Sequence, residues 1–212
     1  MEKGNGVFSK RKKTEQKGEV MKMVYLSKGY LKARSGKDEA FLIRAGKEYR
    51  LHGFQAVMWM KVKYGFCETD SEAGIRAVAG LRDMGLVEAE ERADGLAEFR
   101  ILTRCVCDPV KRRAGNRSSA RLDEKERQVM TWIRKAGIHL SVAELVFLSE
   151  LGVWPEKEFL HDRHRQKLVE TLYLLDDVGD SRLEDRMERA ASRDEVVSTL
   201  MSLLKKRQIL IT

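Results

Sequence analysis

Ser71–Val87 reads SEAGIRAVAGLRDMGLV, and Asp194–Leu210 reads DEVVSTLMSLLKKRQIL. The two stretches lie on each other without a gap. Val78 falls on Met201, Leu81 on Leu204, and Leu86-Val87 on Ile209-Leu210. Each has an acidic residue at its start, Glu72 in one and Asp194 in the other, which favours a helix N-terminus, and continues with apolar residues at helical spacing. Each then stops at a glycine or at basic residues and resumes as a short apolar strand. The pattern predicts the same helix–turn–strand unit twice in one chain.

The surroundings of each copy read as follows. Residues 24–31 and 41–51 are aromatic and β-branched, with Ala45-Gly46-Lys47 as a turn, and predict strands. Gly53–Tyr64 is apolar on nearly every turn and predicts a buried helix ended by Gly65. Thr69-Asp70-Ser71 caps the next helix, which runs to Met84, and Gly85 supplies a left-handed stop. Leu86–Glu91 and Leu96–Leu102 flank Ala93-Asp94-Gly95 and predict a β-hairpin. Cys67 reads as a helix-end residue.

Downstream, Leu122–Ala136 predicts an amphipathic helix with Val129, Trp132 and Ile133 inward. Ser141 and Glu144 form a capping box for a helix ending at Gly152. His161–Asp176 carries Leu168, Val169, Leu172 and Leu175 on one stripe. A charged helix over Ser181–Ala191 and another over Arg193–Arg207 follow, and Gln208–Thr212 is a terminal strand that must pair inside its own domain.

The helix–turn–strand ending resembles the third helix and first wing strand of the winged-helix superfamily, here in tandem. The resemblance implies an α+β, mostly helical fold of two winged-helix-like domains joined by a basic linker. The divisions are a basic tail over 1–22, a domain over 23–110 whose hairpin is the wing, a linker over 111–121, and a helical domain over 122–212 with a truncated wing. It further implies that the third helix of each motif faces DNA.

Charge is unevenly spread. The chain has 212 residues and a formal net charge of +8. Residues 1–22 hold seven Lys/Arg against three Glu, and 111–122 hold five against none, while 23–110 and 123–212 are near neutral. Lys10 to Lys13 in the tail, and Lys111, Arg112, Arg113, Arg117 and Arg121 in the linker, are the groups a polyanion would attract through counterion release. Basic linkers also serve solubility, and the sequence leaves both uses open.

In the second motif the exposed face carries Ser198, Thr199, Ser202, Lys205 and Lys206, with Arg207 at its edge, a set suited to phosphates and base edges. Arg163, Arg165 and Lys167, with His164, open the helix over 161–176 and add a second basic cluster. The first motif differs. Arg76, Ala79, Gly80 and Asp83 make a small, weakly charged face, and Glu88, Glu90 and Glu91 make the wing acidic, so this domain is expected to bind a protein partner or a second copy.

Other chemistries find little footing. Cys105-x-Cys107 and His161-x-x-His164 offer zinc-type ligands, but C-x-C is an uncommon spacing and the pairs fall in different domains, so no metal or cofactor is expected. The nucleophile-elbow, metalloprotease, phosphate-loop and dinucleotide motifs do not occur. No enzymatic activity is expected. Three cysteines give no paired framework, and the start of the chain lacks an apolar signal core. The expectation is a cytoplasmic DNA-binding regulator or nucleoid-associated factor that makes no membrane contact, or alternatively a protein–protein adaptor on the same fold.

Overall fold

The computed structural model describes residues 22–110, 121–160, 165–173 and 180–212. The chain is α+β, with its described strands in three small antiparallel sheets. Strand β1 (Met23–Ser27) lies between β5 (Cys67–Thr69) and β6 (Val87–Glu90). All five of its residues are buried. Side chains alternate across a strand, so Met23 and Tyr25 enter one core while Val24 and Leu26 enter the other. This strand is the wall between the two cores.

The smaller core is local. A meander of β2 (Tyr30–Ser35), β3 (Glu39–Arg44) and β4 (Lys47–His52) pairs in sequence order. Helix α1 (Gly53–Lys61) packs its Ala56, Met58 and Trp59 into this core, beside Ala40, Leu42 and Leu51 of the sheet. Helix α2 (Glu72–Asp83) adds Ala77, Val78 and Leu81. The strands expected over 24–31 and 41–51 are present, each interrupted by a turn. Gly29 makes the first break. Its φ is +88°, and an added Cβ would stand 2.7 Å from the Ile43 carbonyl oxygen, so only glycine fits without a shift.

The larger core collects residues from both sides of the basic linker. Helix α4 (Glu124–Lys135), α5 (Val142–Glu150) and α9 (Arg193–Lys205) surround it, with α7 (Arg165–Tyr173) and α8 (Asp180–Met187) at its side. A short turn of helix, α6 (Lys157–Leu160), leads into α7. Helix α3 (Ala97–Thr103) inserts Ala97, Phe99, Ile101 and Leu102 into the same core. The expected wing hairpin is therefore corrected: its second half is helical. Ala97, Phe99 and Ile101 alternate like a strand, but Leu102 is buried as well, which a single strand face cannot supply. Asp94 Oδ1 accepts from the Leu96 amide at 2.9 Å, and its carbonyl oxygen from the Ala97 amide at 3.2 Å, so the turn opens into a helix.

Three further expectations change. Strand β8 (Ile209–Ile211) pairs with β7 (Cys107–Pro109), on the far side of the linker, rather than within its own half. Cys67 belongs to β5, paired with Tyr25, and is not a helix end. In α4 Trp132 is buried and Val129 and Ile133 pack half-buried against the larger core, as expected, and Glu126 and Met130 are buried beside them. Val169 faces out of α7, whereas Leu168 and Leu172 face in. Leu175 lies outside the described residues.

The duplicated unit is present, with its register moved by one residue. The Leu86 amide donates to Leu81 O and the Gly85 amide to Arg82 O, which is a Schellman closure. The Gln208 amide donates to Leu203 O and the Arg207 amide to Leu204 O in the same pattern. Leu81 therefore matches Leu203, Val78 matches Leu200, and Gly85 matches Arg207. All four apolar members are fully buried. The gapless alignment of the sequence missed this because Leu203-Leu204 offers two adjacent leucines for one role.

Since β8 closes the larger core through residues of the other half, Ile209→Ala should destabilise the whole chain. A loss of about 2–4 kcal/mol is expected in chemical denaturation. Fluorescence of Trp59 in the smaller core and Trp132 in the larger one, read in single-Trp variants, should shift together.

Candidate nucleic-acid interface

Helix α9 is the element the sequence assigns to DNA, and seven of its thirteen residues are buried. Its polar residues are divided between solvent and the fold. Ser198, Lys205 and Arg207 are exposed. Thr199 is buried, and its hydroxyl donates to the Glu195 carbonyl at 2.8 Å, one turn back along the helix. Ser202 and Lys206 turn toward α4, where they meet a carboxylate that sequence reasoning did not single out.

That carboxylate is Glu126, which is 1% exposed. Asp123 and Glu126 form a capping box at the start of α4. Glu126 Oε2 accepts from the Asp123 amide at 2.9 Å, and Oε1 accepts from Ser202 Oγ at 2.6 Å. Lys206 Nζ donates to both oxygens, at 2.5 and 2.6 Å. Burial alone pushes the carboxyl pKa up; the bonds from Lys206, Ser202 and the Asp123 amide outweigh it and hold the group below the ordinary carboxylate range. Ser202 and Lys206 are thereby committed to holding α9 against α4. The signal was legible in part: Asp-x-x-Glu before a helix is a capping box.

The other predicted cations are placed as follows. Arg121 is exposed, and its carbonyl accepts from Lys206 Nζ at 3.4 Å. Lys167 pairs with Glu158 at 2.7 Å and lies 5.1 Å from the centre of the Phe159 ring. Arg165 begins α7. Arg163, His161, His164, Lys111, Arg112, Arg113, Arg117 and the tail cations Lys10 to Lys13 lie outside the described residues. The α2 face is open at Arg76, Ala79 and Asp83, while Gly80 is half-buried against the Gln55 amide.

Sequence reasoning also missed a division of charge inside its first domain. Residues 23–52 hold seven Lys/Arg against three acids, and 53–110 hold seven against ten. The basic share sits on the meander. Lys32 pairs with Glu48 and Arg50 with Glu39 across its strands, whereas Lys37 and Lys47 are exposed at its two turns. Counting 23–110 as one block cancelled the two signs. Acids of the other share are fastened inward: Arg104 reaches both Glu88 (3.2 Å) and Glu90 (3.0 Å), and Lys28 lies 3.5 Å from Glu88.

Two clefts border α9. One, of about 500 Å³, lies between α3 and α9 and presents Glu98, Asp194, Ser198 and Lys205 at its polar wall. The other, of about 260 Å³, is lined by Trp132, Trp154, Val129 and Leu145, with Lys125 and Glu195 paired at its side. The thiols of Cys105 and Cys107 point inward around exposed Val106, and burial pushes them up to about 11 and about 12. Protonated thiols are poor metal ligands. Among the described residues, no three His, Cys, Asp or Glu are grouped to hold a metal ion, and no helix is long and apolar enough to cross a membrane.

No family model, no curated protein and no solved structure matches this chain.

The Glu126 cluster makes a signed pH prediction. A carboxyl lowered by folding contributes stability above its unfolded pKa, and that contribution is lost as pH falls through the folded value. Glu126→Gln should cost about 1.5–3 kcal/mol at pH 7, with the gap to the parent closing as pH drops below the ordinary carboxylate range. Denaturation curves across pH 3–7 test this.

Proposed function

We propose that this protein is a cytoplasmic nucleic-acid-binding factor, a DNA-binding regulator or nucleoid-associated protein. One observation carries the reading: cationic charge is concentrated outside the rest of an acidic body. Residues 1–52 and 111–122 together hold nineteen Lys/Arg against six acids, while 53–110 and 123–212 hold more acids than bases. Such a distribution attracts a phosphate backbone through counterion release and needs no base-specific contact. The reading keeps the tandem winged-helix likeness in its duplicated helix–turn–strand units. It moves the DNA contact away from the buried part of α9, to the tail, the linker, the meander and the exposed end of α9.

A second reading, the protein–protein adaptor, draws on the open α2 face, where Arg76, Ala79 and Asp83 are exposed. Small side chains there permit close approach by another helix. A dimer through this face would appear in sedimentation as a concentration-dependent species lost in Ala79→Arg.

The binding reading is tested by fluorescence anisotropy with duplex DNA over a salt series. Affinity should fall steeply with salt. Replacing Lys111, Arg112 and Arg113 by Ala should reduce the log–log slope by about 2.7 if all three contact phosphate. Absence of binding to duplex at low salt would overturn the reading.

A further inference from the structure

At the shared turn of the two units, one copy has Gly85 and the other Arg207. Gly85 takes φ +68° at no steric cost. Arg207 takes φ +55° in the same Schellman closure, a conformation L side chains rarely adopt. The second copy thus holds a long cation where the first uses the residue the turn favours.

The guanidinium of Arg207 lies 5.0 Å from the centre of the Tyr64 ring, and Lys63 Nζ lies 4.6 Å from the same centre. The two charges are thus no more than about 10 Å apart, close to one Debye length at physiological salt. Neither has a carboxylate partner among the described residues. Elsewhere the chain pairs many of its surface cations: Lys32, Arg50, Lys125 and Lys167 all have acids beside them. Lys205 is exposed on the wall of the cleft that Gly65 and Phe66 share with α9, where Glu98 and Asp194 are its acidic neighbours. Here α1's trailing segment and α9's last turn bring their cations together over one phenol.

We infer that Lys63, Tyr64 and Arg207 form a phosphate-contact site for the backbone of a nucleic acid, with Lys205 at its border. This deepens the binding reading above and rests on it. Guanidinium offers a bidentate fork to phosphate oxygens, the ammonium adds a point charge, and the phenol hydroxyl a further donor. The Tyr64 ring is in contact with both cations. An acidic protein segment would meet the same charges, and the guanidinium fork fits carboxylate and phosphate alike; the cations concentrated over residues 1–52 and 111–122 favour the denser charge of a phosphate backbone.

Arg207→Gly separates this role from a fastening role. Restoring the twin's glycine removes the left-handed penalty, so the melting temperature should stay level or rise, whereas a fastening arginine would leave it lower. Duplex affinity at about 100 mM salt should fall roughly five- to tenfold, with the salt slope reduced by about one contact. Arg207→Lys should keep most of the slope, and Lys63→Ala should lose another contact. Unchanged affinity in both Arg207→Gly and Lys63→Ala, with the parent still binding DNA, overturns this site and leaves the function standing. No binding by the parent to duplex or single-stranded DNA overturns both. Competition by poly-glutamate as strong as by DNA of equal charge overturns the phosphate assignment.

Discussion

Strand β1 has no face to spare. Its alternation sends Met23 and Tyr25 into one core and Val24 and Leu26 into the other, so the two halves of the molecule share a wall. The turn that follows repeats the arrangement in its backbone. The Lys28 amide donates to Leu86 O at 2.8 Å, and the Gly29 amide to Ile211 O at 2.7 Å. Those two carbonyls belong to the strand segments that end the two duplicated units. Consecutive amides thus bind both copies, and the β7–β8 pair adds a second bridge between the halves. Folding of one half leaves apolar surface that only the other covers, which is the condition for a single cooperative unit.

Two buried carboxylates show how local signals serve distant contacts. Glu126 and Glu144 each close a capping box on their own helix. Each also reaches another helix: Glu126 accepts from Ser202 of α9 and, with both oxygens, from Lys206 just past its end, and Glu144 accepts from Tyr173 of α7 through its other oxygen. A cap exposed to water would contribute about 1 kcal/mol and fix nothing beyond its first turn. Buried and shared, the same residue sets the rotation of one helix against the next, because any other angle strands a charge without partners. This explains why α4 buries a carboxylate, Glu126, beside Met130 and Trp132.

The sequence was most readable where period and punctuation agreed. The α2 cap at Ser71, the Ser141–Glu144 box, Gly85, and the turn at Ala45-Gly46 are all where their chemistry places them. It was least readable where one residue set fits two periods, as in Ala97–Leu102, and where partners are far apart in the chain, as with β7 and β8. The candidate site suffered from the same cause. A helical wheel gives Thr199, Ser202 and Lys206 an outward face only if nothing polar waits on the neighbouring helix. Glu126 waits there, 76 residues from Ser202 in sequence. Block counting of charge hid the basic meander, since acids later in the same half cancelled it.

Duplication gives this chain an internal control that composition alone lacks. Both units bury the same two apolar positions and close with the same pair of amide bonds, so differences between them report what each has been turned to. In the first, the turn is glycine, its helix face is small, and Arg44 packs its guanidinium against the turn. In the second, Ser202 and Lys206 of the polar face are drawn inward by Glu126, and the turn itself carries the arginine. A left-handed arginine costs about 1–2 kcal/mol relative to glycine, a large share of any domain's margin. Its reach to Tyr64 recovers part of that through the ring contact, but exposed cation–π pairs give only about 0.5–1 kcal/mol. The surrounding fold, and not the contact, therefore holds Arg207 in place, and a cation so held beside a second one is poised for an anion from outside.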